Sequence, residues 1–300
     1  MSEIILDKDT LMANIRGQIA NSKNLKYQRA LLEFVDNDGD FLGDNVFETS
    51  FLLRDGQTPL IYEVSGPYDT VSNEYATVGR IYDSGKRIFE CDMKDQIQQR
   101  TAAMVIVFLD AIGHAPEKTL LVGAGKLATE TVRYLKHYLP GLAAIDYHAR
   151  TQRADTFEVA CQENGVRAAY QPSLALAGYD TIIMVTNTAK CLIDTGNVDS
   201  VQSGAVIASL CTTSQVGEIA GEVYGRDNVN VLFDYDLTRT FTPDMRAADE
   251  GGYLKDVTFL ADVLNGAPAP DMSGKTTILR ITGTPMQNVA VLDMMRAAKN

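Results

Sequence analysis

Histidine is scarce in this chain, with three residues in 300 (His114, His137 and His148). Its four cysteines, Cys91, Cys161, Cys191 and Cys211, are each at least 20 residues from the next, and none forms a Cys-x-x-Cys pair. These scarcities argue against a structural zinc site, or any other metal centre, and against a disulfide framework. Basic charge is short too: 27 Lys and Arg face 39 Asp and Glu, a formal net charge of -12. A surface that meets nucleic acid or an anionic membrane needs the opposite balance, so neither partner is expected. No apolar run approaches the length of a membrane span. The opening MSEIILDKDT has neither the basic nor the apolar region of a secretory leader. The expectation is a soluble cytoplasmic protein.

With 45% hydrophobic and 22% charged residues, the chain can bury a full core. Its length fits two domains or one large α/β unit. Two textures are visible. Residues 7–22, DKDTLMANIRGQIANS, set Leu11, Met12, Ile15 and Ile19 at helical spacing behind a capping Asp/Thr start. From Ala30 to about Glu90 the runs ALLEFV, NVFETSFLL, PLIYEV and KRIFECDM are separated by DNDGD, RDGQ and YDSG. That punctuation predicts hairpins and an antiparallel sheet. DNDGD (Asp36–Asp40) alternates aspartates like the start of a calcium loop. Its glycine is fourth rather than sixth and position twelve is Phe47, so a solvated hairpin turn is the better reading.

Residues 97–112, IQQRTAAMVIVFLDAI, read as one buried helix, and GHAPEKT breaks the chain after it. Beyond lie strand candidates TLLV, AAIDYH, RAAYQ, TIIMVTN, AVIASL and NVNVLFD, with helical patterns at 126–139, 151–164 and 218–226. Apolar runs alternating with amphipathic helices predict βαβ units and a parallel sheet. A helix-like stretch at 245–265, a strand TTILRIT and a helix MQNVAVLDMMRAA close the chain.

The strongest chemical signal is TLLVGAGKLATE, residues 119–130. A strand runs into Gly-Ala-Gly, and a helix follows with Leu127, Thr131, Leu135 and Leu139 on one face. In such a setting Gly123 allows the tight turn and Gly125 lets the backbone approach a pyrophosphate. Ala128 is small enough for the helix to pack on the sheet. The helix start then offers N–H groups and positive dipole to the phosphates. Gly123, Ala124, Gly125, Lys126 and Leu127 are therefore the candidate pyrophosphate loop, with the Lys126 side chain read as solvated.

Which dinucleotide binds turns on the end of the second strand. An acidic residue there holds the ribose 2′-OH of NAD, whereas an arginine accommodates a 2′-phosphate. Asp146 is 23 residues past Gly123 but lies inside LAAIDYHART, with Tyr147 and His148 still to come. If the strand ends at His148, the discriminating residues are Ala149, Arg150 and Thr151. No carboxylate there repels a phosphate, and an arginine beside a hydroxyl can grip one. NADP(H) is favoured, with NAD(H) the alternative.

QQRTAAM stands about 22 residues before VGAGKLA, IIMVTNT forms the fourth strand, and TTILRITGTPMQNVAVLDMMRAA ends the chain. In this order the pieces resemble the ornithine cyclodeaminase/mu-crystallin family, which also contains archaeal-type alanine dehydrogenases, ketimine reductases and siderophore-pathway dehydrogenases. The resemblance spans nearly the whole chain and is strong from about Ile81 onward. It implies an α/β homodimer with a Rossmann-type parallel-sheet domain for the dinucleotide, residues 113–275. It also implies an antiparallel-sheet α+β domain for substrate binding and dimerisation, residues 1–112 with 276–300 returning to it. A nicotinamide would face a small amino or imino acid in the cleft between domains. On the same resemblance Arg100 lies by cofactor and substrate carboxylate, and Thr101 follows it. Ser72 matches a threonine near the cofactor, and Thr186, Asn187 and Thr188 match the segment beside the cofactor ribose.

The departures from the family pattern bear on the chemistry. Where cyclodeaminases read like Gly-Gly-Asp-x-Pro-Gly-Lys-Thr-Glu, this chain has SLCTTSQVGE, and setting Glu218 on the final glutamate puts Thr212 in the aspartate's place. No lysine occurs between Lys26 and Lys86, and Tyr62, in PLIYEVSGPY, takes the position of the family's substrate-binding lysine. Ile281, in LRITG, replaces a family serine. Cyclodeamination needs a base for the substrate ammonium and a site for a second amine; Thr212 and the missing lysine remove both. Reduction of a preformed imine asks for position, a carboxylate anchor and exclusion of water. Arg100 is the candidate anchor through bidentate pairing, Tyr62 a candidate proton donor, and Thr212 the residue at the altered catalytic position.

Three readings stay open. One is an NAD(P)H-dependent oxidoreductase acting on a C=N/CH-NH bond of a small imino acid, cyclic or open-chain, or of an amino acid. The second is an enzyme on other chemistry, either a pathway-specific imine reductase whose substrate lacks the α-carboxylate or a cyclodeaminase-like lyase. The third is a non-catalytic NADP-dependent binding protein of the mu-crystallin kind.

Overall fold

The computed structural model describes residues 6–22, 25–35, 41–54, 57–69, 74–75, 77–186, 188, 190–210, 217–234, 242–282 and 285–299. The DNDGD turn and the candidate residues Ser72, Asn187 and Thr212 lie outside them. The chain divides into two units, residues 1–100 with 285–300, and residues 101–284.

The elements run α1 (Lys8–Ala20), β1 (Leu25–Val35), β2 (Phe41–Arg54), β3 (Gln57–Asp69), β4 (Glu74–Tyr75), β5 (Val78–Asp83), β6 (Lys86–Asp92) and α2 (Lys94–Ala111). There follow β7 (Thr119–Val122), α3 (Lys126–Tyr138), β8 (Ala144–His148), α4 (Val159–Glu163), β9 (Arg167–Tyr170), β10 (Thr181–Met184) and β11 (Val206–Ser209). The chain closes with β12 (Val229–Phe233), α5 (Pro243–Glu250), β13 (Val257–Phe259), α6 (Leu260–Leu264), β14 (Thr276–Arg280) and α7 (Pro285–Lys299).

In the first unit β1, β2, β3, β5 and β6 form an antiparallel sheet in that order, with β4 beside β3. Helix α1 starts at Asp7, whose carboxylate accepts the Thr10 N–H at 2.9 Å and so satisfies one orphan helix donor. Leu11, Ile15 and Ile19 fall on one stripe of α1 and are fully buried. Alternation sorts the faces of β3: Leu60, Tyr62 and Val64 are buried, whereas Ile61, Glu63 and Ser65 are half-buried. On the more open face Arg80 of β5 bridges Glu63 and Glu90, at 2.7 Å each.

The second unit is an eight-stranded sheet in the order β13-β12-β14-β11-β10-β7-β8-β9, paired parallel throughout. Every residue of β7, β10, β11 and β14 is buried, as expected for apolar runs covered on both faces. The domain boundaries therefore need moving. TTILR pairs with β11 and β12 inside this sheet, so the return to the first unit starts at Pro285 and not at residue 276. The two units also divide within α2, between Arg100 and Thr101, rather than after residue 112. The helix expected over 245–265 is broken as well. Gly251 and Gly252 end α5, and the β-branched Val257 and Thr258 pair beside β12 as β13. The pattern at 218–226 is a 3₁₀ turn, Gly221–Gly225, bounded by glycines.

Candidate functional site

Chain order reverses between β7 and β10: β8 and β9 lie on one side of β7, and β10 and β11 on the other. Ligands of open parallel sheets bind beyond the carboxyl ends of the strands at such a point. The glycine loop stands there. Gly123 has φ +117°, and a Cβ on it would lie 2.6 Å from the Val185 carbonyl oxygen, just past β10. Its N–H donates to the His148 carbonyl at 2.8 Å, and Val185 N–H to the Val122 carbonyl at 2.8 Å. A side chain would force these strands apart. Gly125, at the N-cap of α3, differs: nothing lies within 4 Å of a Cβ placed there. Ala128 is fully buried on the sheet side, and the first turn of α3 carries no acidic residue to oppose a phosphate. The loop thus fits a pyrophosphate at Gly125 and the α3 N-terminus.

Strand β8 ends at His148, so Ala149, Arg150 and Thr151 follow its carboxyl end, Arg150 and Thr151 being exposed. Asp146 lies within the strand, where its carboxylate accepts the Tyr179 hydroxyl at 2.8 Å. The following loop is well supported. Tyr170 donates its hydroxyl to the Ala149 carbonyl at 3.3 Å, and Tyr147 accepts the Arg153 N–H at 2.9 Å while donating to Glu158 at 2.7 Å. Burial pushes the Tyr147 phenol up to about 12, so it stays a donor at neutral pH.

Past β10, Thr186 meets a group that sequence reasoning missed. Glu218 is completely buried. One of its oxygens accepts the Thr186 hydroxyl and the Thr186 N–H, the latter at 3.3 Å; the other accepts the Ser209 hydroxyl at 3.0 Å. Arg280, at the end of β14, donates to the Ser209 carbonyl and hydroxyl at 3.0 Å each, and pairs with Asp244 at 3.2 Å. The Tyr224 hydroxyl donates to Asp244 at 2.6 Å. Burial pushes the Glu218 carboxyl up against the opposing pull of Thr186, Arg280 and Ser209. Burial opposes ionisation of Asp244 too, but the Arg280 charge and the hydrogen bonds around it prevail and hold that carboxyl below its usual range. Arg280 and Asp244 form the ion pair, and the three donors around Glu218 all face its carboxylate form. The one sequence-level sign was a set of polar residues ending apolar strands.

In the first unit, Arg100 is 6% exposed and donates to Gln287 Oε1 of α7 at 2.5 Å. Tyr62 is 1% exposed, and its hydroxyl donates to Asp293 of α7 at 2.9 Å. That bond commits the Tyr62 proton to an internal acceptor. Thr101 is half-buried in α2.

A parallel sheet with a glycine loop at its switch point, joined to an antiparallel sheet closed by the C-terminal helix, defines the class: a two-unit α/β protein with a Rossmann-type unit. No family model matches the chain, and no curated protein matches it in sequence. Solved structures do share the fold. A probable ornithine cyclodeaminase from Bordetella pertussis Tohama I is 19% identical with a TM-score of 0.81, over 98% of this chain and 94% of that one. An archaeal alanine dehydrogenase, a dimer with bound NAD, is 15% identical with a TM-score of 0.80, over 97% and 91%. The Δ1-pyrroline-2-carboxylate reductase of Thermococcus litoralis, in complex with NADH and L-proline, is 14% identical with a TM-score of 0.80, over 98% and 94%. The first and third are of the ornithine cyclodeaminase/mu-crystallin family, and at these identities the likeness establishes the fold. Among the described residues no helix is long and apolar enough to cross a membrane.

Proposed function

We propose that the chain is a divergent member of this family, an NAD(P)H-dependent oxidoreductase that reduces the C=N bond of a small, cyclic imino acid. The observation that carries the reading is the loop at the switch point: Gly123 closed against Val185, and Gly125 open at the start of α3. Solved structures of the same fold hold NAD or NADH, and one reduces an imino acid. Gly123, Ala124, Gly125, Lys126 and Leu127 receive the pyrophosphate through backbone N–H groups. A bound reduced nicotinamide supplies hydride to an electrophilic imine carbon. Arg100 anchors the substrate carboxylate, and Thr186, Asn187 and Thr188 line the ribose on the nicotinamide side, with Ser72 and Thr101 nearby. The family's homodimer is the expected assembly.

NADP(H) is the favoured cofactor. The Asp146 carboxylate is engaged by Tyr179, and the residues beyond β8 are Ala149, Arg150 and Thr151, a set that suits a 2′-phosphate. A second reading has its own support. Thr212 stands at the aspartate position, no lysine occurs between Lys26 and Lys86, and the Tyr62 hydroxyl is held by Asp293, so the groups expected to act on an amino-acid substrate are changed. An imine without an α-carboxylate is consistent with those changes. Parallel titrations with NADPH and NADH test the reading: micromolar binding of NADPH, weakened by Arg150→Ala, supports it, and binding of neither overturns it.

A further inference from the structure

The chain leaves β10 at the ligand end of the sheet, and one residue holds both Thr186 and the Leu192–Ile193 pair that follows it. At the start, the Glu218 side chain accepts the N–H and hydroxyl of Thr186. At the finish, the Glu218 carbonyl accepts the N–H groups of Leu192 and Ile193 at 2.8 and 3.0 Å. The second carboxylate oxygen takes the Ser209 hydroxyl at the end of β11, where the chain enters the segment carrying Thr212. Two hydroxyl-to-backbone turns continue the order set at Thr186: Thr188 N–H donates to Thr186 Oγ1, and Lys190 N–H to Thr188 Oγ1, at 3.3 Å each. Arg280 fixes Ser209 from the other side. It occupies the Ser209 hydroxyl as an acceptor, so the Ser209 proton is directed at Glu218.

In a doubly wound sheet the first half, here β7 to β9, binds the adenosine half of a dinucleotide, and the second half binds the nicotinamide half. Glu218 lies wholly on the second side. We propose that Glu218 is a positioning residue for the nicotinamide half of the cofactor: with Ser209 and Arg280 it sets Thr186 and, through it, Thr188, and it has no part in holding the adenosine half. This inference rests on the dinucleotide reading above. Because the carbonyl clasp on Leu192 and Ile193 belongs to the backbone, a side-chain change at 218 leaves it in place. Glutamine cannot satisfy both hydroxyl donors and the Thr186 N–H with its single oxygen, so Glu218→Gln loosens one tie.

The test compares whole and truncated ligands on the intact protein. Dissociation constants are measured for the reduced dinucleotide that the parent binds and for its adenosine half alone, ADP, 2′-phosphorylated if that dinucleotide is NADPH. In Glu218→Gln the dinucleotide weakens about tenfold while the ADP ligand, which lacks the second ribose, changes less than twofold. Ser209→Ala, which removes only the second tie, shows the same split and serves if Glu218→Gln fails to fold. Equal weakening of both ligands assigns Glu218 a merely structural role and overturns the inference, as does unchanged binding of both. A parent that binds neither NADPH nor NADH overturns the dinucleotide reading itself.

Discussion

Two glycines separated by one residue in one loop give opposite responses to the same methyl group. Gly123 has φ +117°, and the methyl of Gly123→Ala would sit 2.6 Å from the Val185 carbonyl oxygen and 3.0 Å from its carbon. The backbone conformation costs an L-residue about 1–3 kcal/mol, and relieving an overlap with main chain about 1–3 kcal/mol more. For a unit of residues 101–284 each kcal/mol lowers Tm by about 2–4 °C, so a loss of at least about 4 °C is expected. Gly125→Ala meets nothing within 4 Å, and its stability should stay within about 1 kcal/mol of the parent. Its methyl instead enters the space where a pyrophosphate approaches the backbone, an overlap of about 1–3 kcal/mol, or roughly a five- to hundredfold loss of dinucleotide affinity. Calorimetry and titration of both variants give the comparison. Parent-like melting of Gly123→Ala refutes the close-approach argument, and parent-like binding by Gly125→Ala refutes the placement of the pyrophosphate.

Arg150 is exposed, so Arg150→Ala should melt like the parent yet lose about tenfold or more in NADPH affinity, with NADH changed less than twofold; equal loss of both would remove the 2′-phosphate role. His114 lies 2.8 Å from Thr181 Oγ1, and burial lowers its pKa from 6.5 against the pull of Asp180 and Glu117. The unfolded chain then takes its proton first as pH falls. Stability contributed by His114 is present above about pH 6.5 and is lost below it; urea unfolding across this range should show the decline, and His114→Gln should flatten it. Tyr224→Phe removes the 2.6 Å donor to Asp244 and should cost about 1–3 kcal/mol in urea unfolding, whereas an unchanged midpoint would make that bond idle.

The glycine loop was legible because its requirements are local. Strand, turn, N-cap and small packing residue all fall within 119–130, and the end of β8 at His148 followed from an equally short pattern. The Glu218 group was not legible, since its members come from separate segments: Thr186 is 32 residues from Glu218, and Ser209 is 71 from Arg280. Thr186 reads as a ribose-side residue and Glu218 as the glutamate that follows Thr212, with nothing in either stretch to show that they meet. Tyr62 shows the same limit, because the acceptor that commits its hydroxyl is 231 residues away. TTILR looked like a strand but carried no mark of its neighbours, and only pairing shows it lying between β11 and β12. Over 245–265 apolar spacing outweighed Gly251 and Gly252, whose helix-ending effect separates α5 from β13.

The central claim is reduction of an imine by a reduced nicotinamide dinucleotide. The reduced nicotinamide's own near-ultraviolet absorbance, which the oxidised form lacks, reports on turnover. The direct measurement is its decay in the presence of Δ1-pyrroline-2-carboxylate, repeated with Δ1-pyrroline, which lacks the carboxylate. Decay of NADPH matched one for one by proline is the predicted result, and Arg100→Lys should slow it by raising KM for the carboxylate substrate. Firm dinucleotide binding with no consumption on either imine would contradict the account and leave a cofactor-binding protein without catalysis.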